Sequence, residues 1–328
     1  MPGHPRLSVL GSLNIDISVA VPRLPVPGET VLGSAASIAP GGKGANQAVA
    51  AARLGAEVRM VGCTGDDDFG RTARSALEAD GVDTGGVRMV PGPTGVALIT
   101  VDPAGENVIV VAPGANALAG AAEVAAALAV GADMLVLSAE IPVAVLTAAL
   151  EGARSGPGAG PPAGAGSAAS ATGLTCLLNL APVPPDPAGL LAGGVDWLVV
   201  NETEAAAVLV QPVTGLDGAA AAARDLHGLG ARHAVVTAGP QGAALCGPAG
   251  VQAVPAPSVR SVDSVGAGDA FVAALAVAVA AGVPDGEALR AACAAGATAA
   301  TRRGTQDALP RPADILAATG QAWPVPAA

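Results

Sequence analysis

Short apolar runs recur along the chain and alternate with stretches of helical spacing. The runs that predict buried strands are VRMVG (58–62), MLVLS (134–138), TCLLNL (175–180), WLVV (197–200) and HAVVT (233–237). Stretches with helical spacing lie near 67–80, 119–130, 143–153, 202–210 and 217–229. Strands that alternate with helices form a mainly parallel sheet covered on both faces. The pattern therefore predicts one α/β domain over residues 1–328.

Three further segments follow a different pattern. Residues near 14–20, 30–39 and 94–112 alternate apolar and polar positions with no helix inside any of them. Such alternation is typical of strands that expose one face. We expect a small antiparallel lid formed by segments near 14–39 and 94–112.

One segment carries no functional pattern. Residues 152–173 are rich in glycine, proline, alanine and serine, a composition that predicts a disordered loop insertion. Such an insertion costs little, because closure entropy grows only slowly with loop length.

Composition narrows the class of protein. The net charge of −11 and the lack of basic runs argue against nucleic acid as a partner. Apolar residues make up 51% of the chain but aromatic residues only 1%, so alanine, valine and leucine must fill the core. The four cysteines and three histidines show no metal-binding spacing, which favours reduced thiols in the cytoplasm. We expect neither an export signal nor a membrane span.

The segment DSVGAGDAF (263–271) places Gly266, Gly268 and Asp269 where an apolar run begins. Glycines there let successive N–H groups converge, and the positive end of the following helix adds to their field. Such a nest suits a phosphoryl group. Asp269 is close enough to accept a proton from a hydroxyl that attacks this group. The alternative is a glycine-rich helix start, whereas a dinucleotide fingerprint would need a third glycine that is absent.

A second glycine segment, GGKGANQAVAAARLGA (41–56), precedes an alanine-rich helix. It contains Lys43, the only lysine of the chain. The compact ammonium of lysine is not reproduced by a guanidinium, so the segment predicts a small polyol or a phosphate as its counterpart. The alternative is a surface lysine in a turn.

Amides and carboxylates follow several predicted strands. Asn14 and Asp16 lie two residues apart, on one face of a predicted strand, and can bind a vicinal diol. Glu140 follows the run MLVLS. Ligands of open parallel sheets bind beyond the carboxyl ends of strands. Asn201 and Glu204 have the spacing of a capping box, and they can also present oxygens to magnesium or its waters. Ordinary turn, edge-strand or capping roles remain the alternatives.

Together these segments resemble the ribokinase family of sugar kinases, also called the PfkB family, from about Ser8 to Pro310. Many motifs in one order are more specific than a single glycine pattern. Besides those above, the matching motifs are VPGET (26–30), CTGDDDFG (63–70), TGVALI (94–99), GENVIVVAPGAN (105–116), NLAPVP (179–184) and VVTAGPQG (235–242).

The resemblance implies a three-layer fold with a mainly parallel central sheet, and a lid that covers the sugar and forms a homodimer. Asp269 would be the base, with an anion hole formed by Gly266, Ala267 and Gly268. The implied sugar-binding residues are Asn14, Asp16, Gly41, Gly42, Lys43, Asn46 and Glu140, together with Asp269 itself. The implied nucleotide-binding residues are Asn201, Glu204, Thr237, Gly239, Gly242, Gly268 and Cys293.

The resemblance also implies Mg²⁺ beside ATP and a monovalent cation, potassium, behind the anion hole. The implied cation ligands are the Asp263 carboxylate and carbonyls of Val265, Ala299, Arg302 and Gly304. The chain departs from the family pattern at Ala308, where a serine is common, at Cys293, where histidine or asparagine borders the adenine, and at Val272 and Ala273, where asparagine and glycine are frequent.

The implied activity is ATP-dependent phosphorylation of D-ribose at its 5-hydroxyl. A kinase of the same family acting on fructose, a deoxyribose or a nucleoside is the first alternative. A sugar-binding regulator without catalysis is the second, but it would not need Asp269 or the GAGD segment.

Overall fold

A nine-stranded sheet forms the centre of the fold in the computed structural model, which describes residues 4–103, 107–129, 131–155 and 173–325. In chain order the strands are β1 (Arg6–Leu10), β2 (Asn14–Ala20), β3 (Ser37–Gly41), β4 (Glu57–Gly65), β5 (Asp83–Val90), β6 (Gly95–Val101), β7 (Asn107–Ala112), β8 (Met134–Ser138), β9 (Thr175–Asn179), β10 (Val195–Asn201), β11 (Ala231–Thr237), β12 (Ala243–Gly247) and β13 (Gly250–Val254).

Ten α-helices accompany these strands within the described residues. They are α1 (Lys43–Arg53), α2 (Asp68–Ala79), α3 (Ala121–Leu128), α4 (Val143–Arg154), α5 (Pro187–Leu191), α6 (Glu202–Leu209), α7 (Gly215–Gly228), α8 (Ala267–Ala280), α9 (Asp285–Ala299) and α10 (Pro312–Thr319). The predicted helices near 67–80, 119–130, 143–153, 202–210 and 217–229 correspond to α2, α3, α4, α6 and α7.

The main sheet has the strand order β13-β12-β11-β10-β9-β8-β1-β4-β5. Every neighbouring pair from β11 to β5 is parallel, and the pairs β11–β12 and β12–β13 at one edge are antiparallel. The mainly parallel sheet that the apolar runs predict is therefore confirmed. Its parallel strands bring their carboxyl ends to one edge, where loops can assemble a site.

Two apolar clusters cover the opposite faces of this sheet, which gives the three layers. Along β8, Met134 and Val136 pack into one cluster with α1, α8 and α9, while Leu135 and Leu137 pack into the other with α3, α4 and α7. This alternation follows from the period-2 side-chain direction of a strand. Helix α8 is buried along most of its length, as its continuous alanine and valine run requires. None of the helices in the described ranges is long and apolar enough to cross a bilayer.

The small sheet has the strand order β3-β2-β6-β7. Pairs β2–β3 and β6–β7 are antiparallel as predicted, but β2 and β6 pair in parallel, with Asp16 beside Ala97. A long stretch of chain with two helices separates these strands, so no hairpin sets their relative direction.

The segment before β3 also differs from the prediction. Residues 30–36 are largely exposed and form no strand, and β3 begins only at Ser37. This segment is joined to β2 by two hydrogen bonds, from Ser34 N–H to the Ala20 carbonyl at 2.8 Å and from Ala20 N–H to Ser34 Oγ at 3.2 Å. Alternation predicts a strand, but a strand also needs a partner with a continuous ladder.

The low-complexity segment is only partly within the described residues. Its first residues, 152–154, form the last turn of α4, because alanine and arginine there continue the helical pattern. Residues 156–172 of the predicted insertion lie outside the described residues.

Candidate active site

Two helices begin at glycines with positive φ, and their first turns meet. Gly42 precedes α1 with φ 91°, and Gly266 precedes α8 with φ 78°. Residues with a Cβ rarely adopt such angles, so glycine allows the sharp entry into each helix. As a result Asn46 of α1 lies against Asp269 of α8, and Asn46 Nδ2 donates to Asp269 Oδ2 at 2.9 Å.

Asp269 is the best-enclosed carboxylate of this region, with 8% of its surface exposed. Besides the bond from Asn46, its Oδ1 accepts from Gln47 Nε2 at 3.1 Å. Asn46 is itself held by Gln306, whose Nε2 donates to Asn46 Oδ1 at 3.2 Å. Both oxygens of Asp269 are thus oriented by amides, while lone pairs remain for a further hydroxyl.

Lys43 lies among four carboxylates. Burial lowers its pKa, but Asp269, Glu140, Glu204 and Asp16 raise it by a larger amount, so the pKa of Lys43 lies above its ordinary 10.5. The lysine therefore stays charged at neutral pH. Lys43 thus interacts both with the carboxylates that the sequence predicts for the sugar and with Glu204, which the sequence predicts for the nucleotide.

Asp16 lies on β2 with its side chain almost fully buried. Its pKa is raised from 3.8 to about 6, mainly by burial. A hydrogen bond from Thr305 and the charge of Lys43 partly oppose this rise, whereas the charges of Glu140 and Asp269 add to it. Thr305 Oγ1 donates to Asp16 Oδ2 at 3.3 Å. Gly41 of β3 faces Asp16 so closely that a Cβ there would overlap the carboxylate. Gly41 therefore makes room for this side chain.

Asn14 is buried on the same face of β2, next to the side chain of Asn116. Asn116 Nδ2 donates to Asn14 Oδ1 at 2.7 Å and to the Leu13 carbonyl at 3.1 Å, while its Oδ1 accepts from Leu13 N–H at 2.9 Å. These bonds leave the Asn14 amide group directed away from Asn116 and available as a donor. Sequence analysis missed Asn116, although it ends the quoted motif GENVIVVAPGAN.

Glu140 follows β8 and approaches the start of α1. Its Oε2 accepts from Ser12 Oγ at 2.5 Å and from Lys43 N–H at 3.2 Å. The side chain is partly exposed, so an oxygen can also reach a ligand. The structure thus brings Asn14, Asp16, Asn46, Glu140 and Asp269 together around Lys43.

The predicted anion hole is the first turn of α8. Ala267 N–H already donates to the Ser264 carbonyl at 3.2 Å, so it would share or exchange this bond on binding an anion. Gly268 is exposed and no atom would contact a Cβ built on it within 4 Å, which leaves open space beside this turn. The amides of the first helical turn have no partner inside the helix and attract negative charge.

The predicted nucleotide-binding residues follow β10 and β11. Asn201 caps α6, with Glu204 N–H donating to Asn201 Oδ1 and Asn201 N–H to Glu204 Oε2, both at 2.8 Å. The expected capping box is therefore present. Burial raises the pKa of Glu204 above 4.5. Thr237 pairs with Asn201 across the two strands, which places both at the carboxyl edge.

The remaining residues of this group differ in surroundings. A short 3₁₀ helix (Gly239–Gln241) follows β11, and it begins at Gly239 and is followed by Gly242, whose φ angles are 52° and 119°. Cys293 lies in α9 and packs into the core cluster with α8, where burial raises the pKa of its thiol to about 12. It is therefore an uncharged, apolar side chain.

The predicted cation site joins two loops through Asp263. Asp263 Oδ1 accepts from Val265 N–H at 3.0 Å and Oδ2 accepts from Gly304 N–H at 3.2 Å. The Ala299 carbonyl accepts from Arg302 N–H at 3.2 Å. The Asp263 carboxylate and the Ala299 carbonyl each retain a further lone pair, and such oxygens are the kind of ligand that a hard cation accepts. Ala308 is fully buried and supplies no hydroxyl.

Sequence analysis also missed the residues that orient the others, namely Gln47, Asn179, Thr305 and Gln306. Gln47 lies inside the quoted motif GGKGANQ, and Asn179 begins NLAPVP, so the motifs contained the signal. What the sequence lacked was the contact between α1, β9 and the loop after α9.

A buried carboxylate at a helix start and a charged lysine near the carboxyl edge of a parallel sheet are typical of a small-molecule kinase. The model of the pfkB family of carbohydrate kinases matches residues 4–312. Ribokinase of Haemophilus influenzae is 34% identical to this chain, over 94% of this chain and 97% of that protein. Ribokinase of Schizosaccharomyces pombe is 36% identical, over 93% of this chain and 95% of that protein.

Solved structures agree with these relatives. Ribokinase of Thermotoga maritima superposes with a TM-score of 0.78 at 32% identity, covering 95% of this chain and 98% of that chain. Ribokinase of Arabidopsis thaliana complexed with ribose and ATP superposes with a TM-score of 0.79 at 29% identity, covering 96% and 98%. The chain belongs to the pfkB family of carbohydrate kinases.

The raised pKa of Asp16 predicts a dependence of stability on pH. Because folding raises this pKa from 3.8 to about 6, the folded protein holds the proton more tightly than the unfolded chain does. The stability contributed by protonated Asp16 is therefore present near pH 4 and is lost as the pH rises through 6. Asp16→Asn should raise the free energy of unfolding by about 1–3 kcal/mol at pH 8.

Urea denaturation at pH 8 and pH 4 measures this difference, which should shrink towards zero at pH 4. Glu151→Gln is the control, because Glu151 is exposed on α4 and its substitution should have little effect at either pH. Equal stabilisation by Asp16→Asn at both values of pH would contradict the prediction.

Proposed function

We propose that this protein is an ATP-dependent kinase that phosphorylates the 5-hydroxyl of D-ribose to give D-ribose 5-phosphate. The observation that supports this most is the position of Asp269, held by Asn46 and Gln47 at the start of α8 and next to Lys43. The similarity to proteins named ribokinase over nearly the whole chain supports ribose as the sugar.

The sugar pocket would be formed by the cluster around Lys43. Asp16 and Asn14 offer a carboxylate and an amide on one face of β2, where they can bind neighbouring ring hydroxyls. Glu140, Asn46 and the backbone at Gly41 and Gly42 would complete the contacts. The lid strands β2 and β6 close this side and exclude water.

Asp269 would act as the base. As the 5-hydroxyl oxygen forms its bond to the γ-phosphorus, the bond to the bridging β,γ-oxygen breaks and ADP leaves with that electron pair. The hydroxyl proton passes to an Asp269 carboxylate oxygen. The negative charge on the transferred group would be stabilised by the Lys43 ammonium and by the backbone amides of Gly266, Ala267 and Gly268. Asn201, Thr237, Gly239, Gly242 and Gly268 would face the nucleotide, and Cys293 would border the adenine.

Magnesium would be needed because the site is strongly negative before ATP enters. Asp16, Glu140, Glu204 and Asp269 outweigh the single ammonium of Lys43. Among the described residues, no three histidine, cysteine, aspartate or glutamate side chains are grouped to hold a metal ion. A magnesium ion bound mainly by phosphates and water, with Glu204 and Asn201 beside it, fits this donor set. The ion would neutralise the phosphate oxygens.

A monovalent cation, potassium, would bind at Asp263 with carbonyls of Val265, Ala299, Arg302 and Gly304. The support is that Asp263 already joins the loop before α8 to the loop after α9. An ion there would stiffen the turn that carries the anion-hole amides. Ala308 removes one oxygen ligand, which water would replace.

A 2-deoxypentose is the second candidate substrate. A deoxyribokinase of Salmonella typhimurium is 34% identical over 81% of this chain and 83% of that protein. Assays with ribose, 2-deoxyribose, fructose and nucleosides separate these activities. Loss of the 2-hydroxyl would leave a buried polar group unpaired in a ribose site. Absence of turnover with every acceptor would favour a non-catalytic sugar-binding protein instead.

The lid would also form a homodimer. Its outer face carries a row of apolar side chains in register, in which Ile38, Ile17, Leu98 and Val110 follow one another across β3, β2, β6 and β7. Ile17 in this row is partly exposed. Ile38, Leu98 and Val110 are 60%, 50% and 59% exposed. Contiguous exposed apolar surface marks an interaction site.

We place the enzyme in the cytoplasm, with neither nucleic acid nor a membrane as partner. The support is the net charge of −11 and the four cysteines, which are free and buried. A buried thiol that forms no disulfide is compatible with a reducing compartment.

Asp269→Asn tests the base. The amide keeps the size of the side chain but cannot take the proton, so kcat with ribose should fall by roughly 10² to 10⁴ fold. Binding of ribose, measured by calorimetry, should persist. Full activity of this variant would remove Asp269 from the mechanism.

Replacement of choline chloride by potassium chloride at constant ionic strength tests the cation. Potassium should raise kcat more than sodium does and leave the KM for ribose little changed, because the ion would shape the anion hole and not touch the sugar. Its half-saturating concentration should fall in Ala308→Ser, which restores a hydroxyl. Identical rates in all salts, with and without serine, would contradict a cation site.

Leu98→Lys tests the lid dimer. A charge in the centre of the apolar row should convert dimers to monomers in sedimentation velocity experiments. Leu316→Lys is the matched control, because Leu316 is 53% exposed but lies on α10. A monomeric wild-type protein, or equal effects of both variants, would contradict dimerisation through the lid.

A further inference from the structure

A chain of buried amides connects the backbone of β10 to the carboxylate of Asp269. Asn179 at the end of β9 donates from Nδ2 to the Val199 carbonyl at 3.2 Å, and its Oδ1 accepts from Gln47 Nε2 at 3.0 Å. Gln47 Nε2 also donates to Asp269 Oδ1 at 3.1 Å. The chain thus spans two strands of the main sheet and the helices α1 and α8.

The orientation of each amide in this chain is determined by its partners. Both partners of Gln47 Nε2 are oxygens, and only the NH₂ end of an amide can donate to two acceptors. Asn179 must likewise direct Nδ2 to the Val199 carbonyl, since a carbonyl cannot donate. The chain therefore has one direction, from the sheet backbone to Asp269.

Packing alone does not explain a glutamine at position 47. Only 1% of its surface is exposed, and its Oε1 has no hydrogen-bond partner within the described part of the chain. An unpaired buried acceptor destabilises a fold, and an apolar side chain of similar size would avoid that cost. The two N–H groups are what glutamine offers here and methionine lacks.

We propose that Gln47, anchored by Asn179, is a positioning residue that holds the Asp269 carboxylate in the orientation for proton transfer. The proposal rests on the proposed function, in which Asp269 is the base. Rotation about the Cβ–Cγ bond of aspartate is soft. Asn46 binds Oδ2 and Gln47 binds Oδ1, so the two bonds together fix this rotation. The base then needs no reorganisation when the hydroxyl arrives.

Gln47→Met tests this inference. The variant keeps the length of the side chain and removes both donated bonds, so kcat should fall by about 10- to 100-fold, as expected for a misplaced catalytic group. The KM for ribose should stay close to that of the wild type, because both N–H groups of Gln47 are used within the protein. A parallel rise of KM and fall of kcat, or an unchanged kcat, would overturn the proposal.

Val49→Ala on the same helix is the control for loss of stability. Val49 is fully buried in the core and contacts neither Asp269 nor Asn179 through a hydrogen bond. Its truncation should lower the melting temperature and leave kcat unchanged. If Val49→Ala lowered kcat as Gln47→Met does, the effect of Gln47 would be structural and the proposal would fail.

A double-mutant cycle with Asp269→Ala gives the decisive readout. If Gln47 acts through Asp269, Gln47→Met should cause no further loss of kcat once the carboxylate is gone. Equal losses in both backgrounds would overturn the proposal. Should Gln47→Met fail to fold, Asn179→Ala replaces it in the cycle with the same expectation and a smaller loss.

The wild type and Asp269→Ala separate this proposal from the proposed function. If the wild type phosphorylates another sugar but not ribose, ribose is wrong and the cycle is completed with that sugar. If Asp269→Ala keeps full activity, Asp269 is not the base and the role of Gln47 falls with it. A large loss in Asp269→Ala without any loss in Gln47→Met overturns only the role of Gln47.

Discussion

The contact between the first turns of α1 and α8 is the constraint on which the site depends. Gly42 and Gly266 precede the two helices with positive φ angles, and Asn46 and Gln47 of α1 then reach Asp269 of α8. Residues far apart in sequence are joined here by side-chain hydrogen bonds. Any displacement of either helix would move Asp269 relative to Asn46 and Gln47.

The alanine-rich core makes this contact possible. Helix α8 is lined by buried alanine and valine residues and packs closely against α1 and α9. Small side chains allow helix axes to approach, whereas aromatic side chains would hold them apart. With only 1% aromatic residues, the chain fills its interior by close packing of many small groups. The unusual composition thus supports the geometry of the site.

In the free protein, repulsion between crowded carboxylates of the site is unfavourable. Asp16 is buried, and its pKa of about 6 reflects this burial together with the charges of its neighbours Glu140 and Asp269. Lys43 compensates this charge only in part, while its own pKa rises in response. Such crowded carboxylates are typical of functional sites, where binding of hydroxyl groups and cations relieves the repulsion that remains after folding. Glu204 also interacts electrostatically with Lys43 and Asp269.

The sequence by itself determined five strands (β4, β8, β9, β10 and β11) and five helices of the α/β pattern, because apolar periodicity is a local property that burial enforces. The match of α2, α3, α4, α6 and α7 to their predicted positions reflects this. The sequence also located the glycines that precede Lys43 and Asp269, and Gly42 and Gly266 among them have positive φ in the structure.

Only the tertiary structure decided the direction of β6 against β2 and the absence of a strand at 30–36, because pairing depends on partners distant in sequence. The same reason explains the residues that sequence analysis missed. Asn116, Gln47, Asn179 and Gln306 are ordinary amides until the fold brings each to a particular oxygen. The local pattern of apolar residues determines which helices and strands form, whereas long-range hydrogen bonds determine which side chains orient Asp269 and its neighbours.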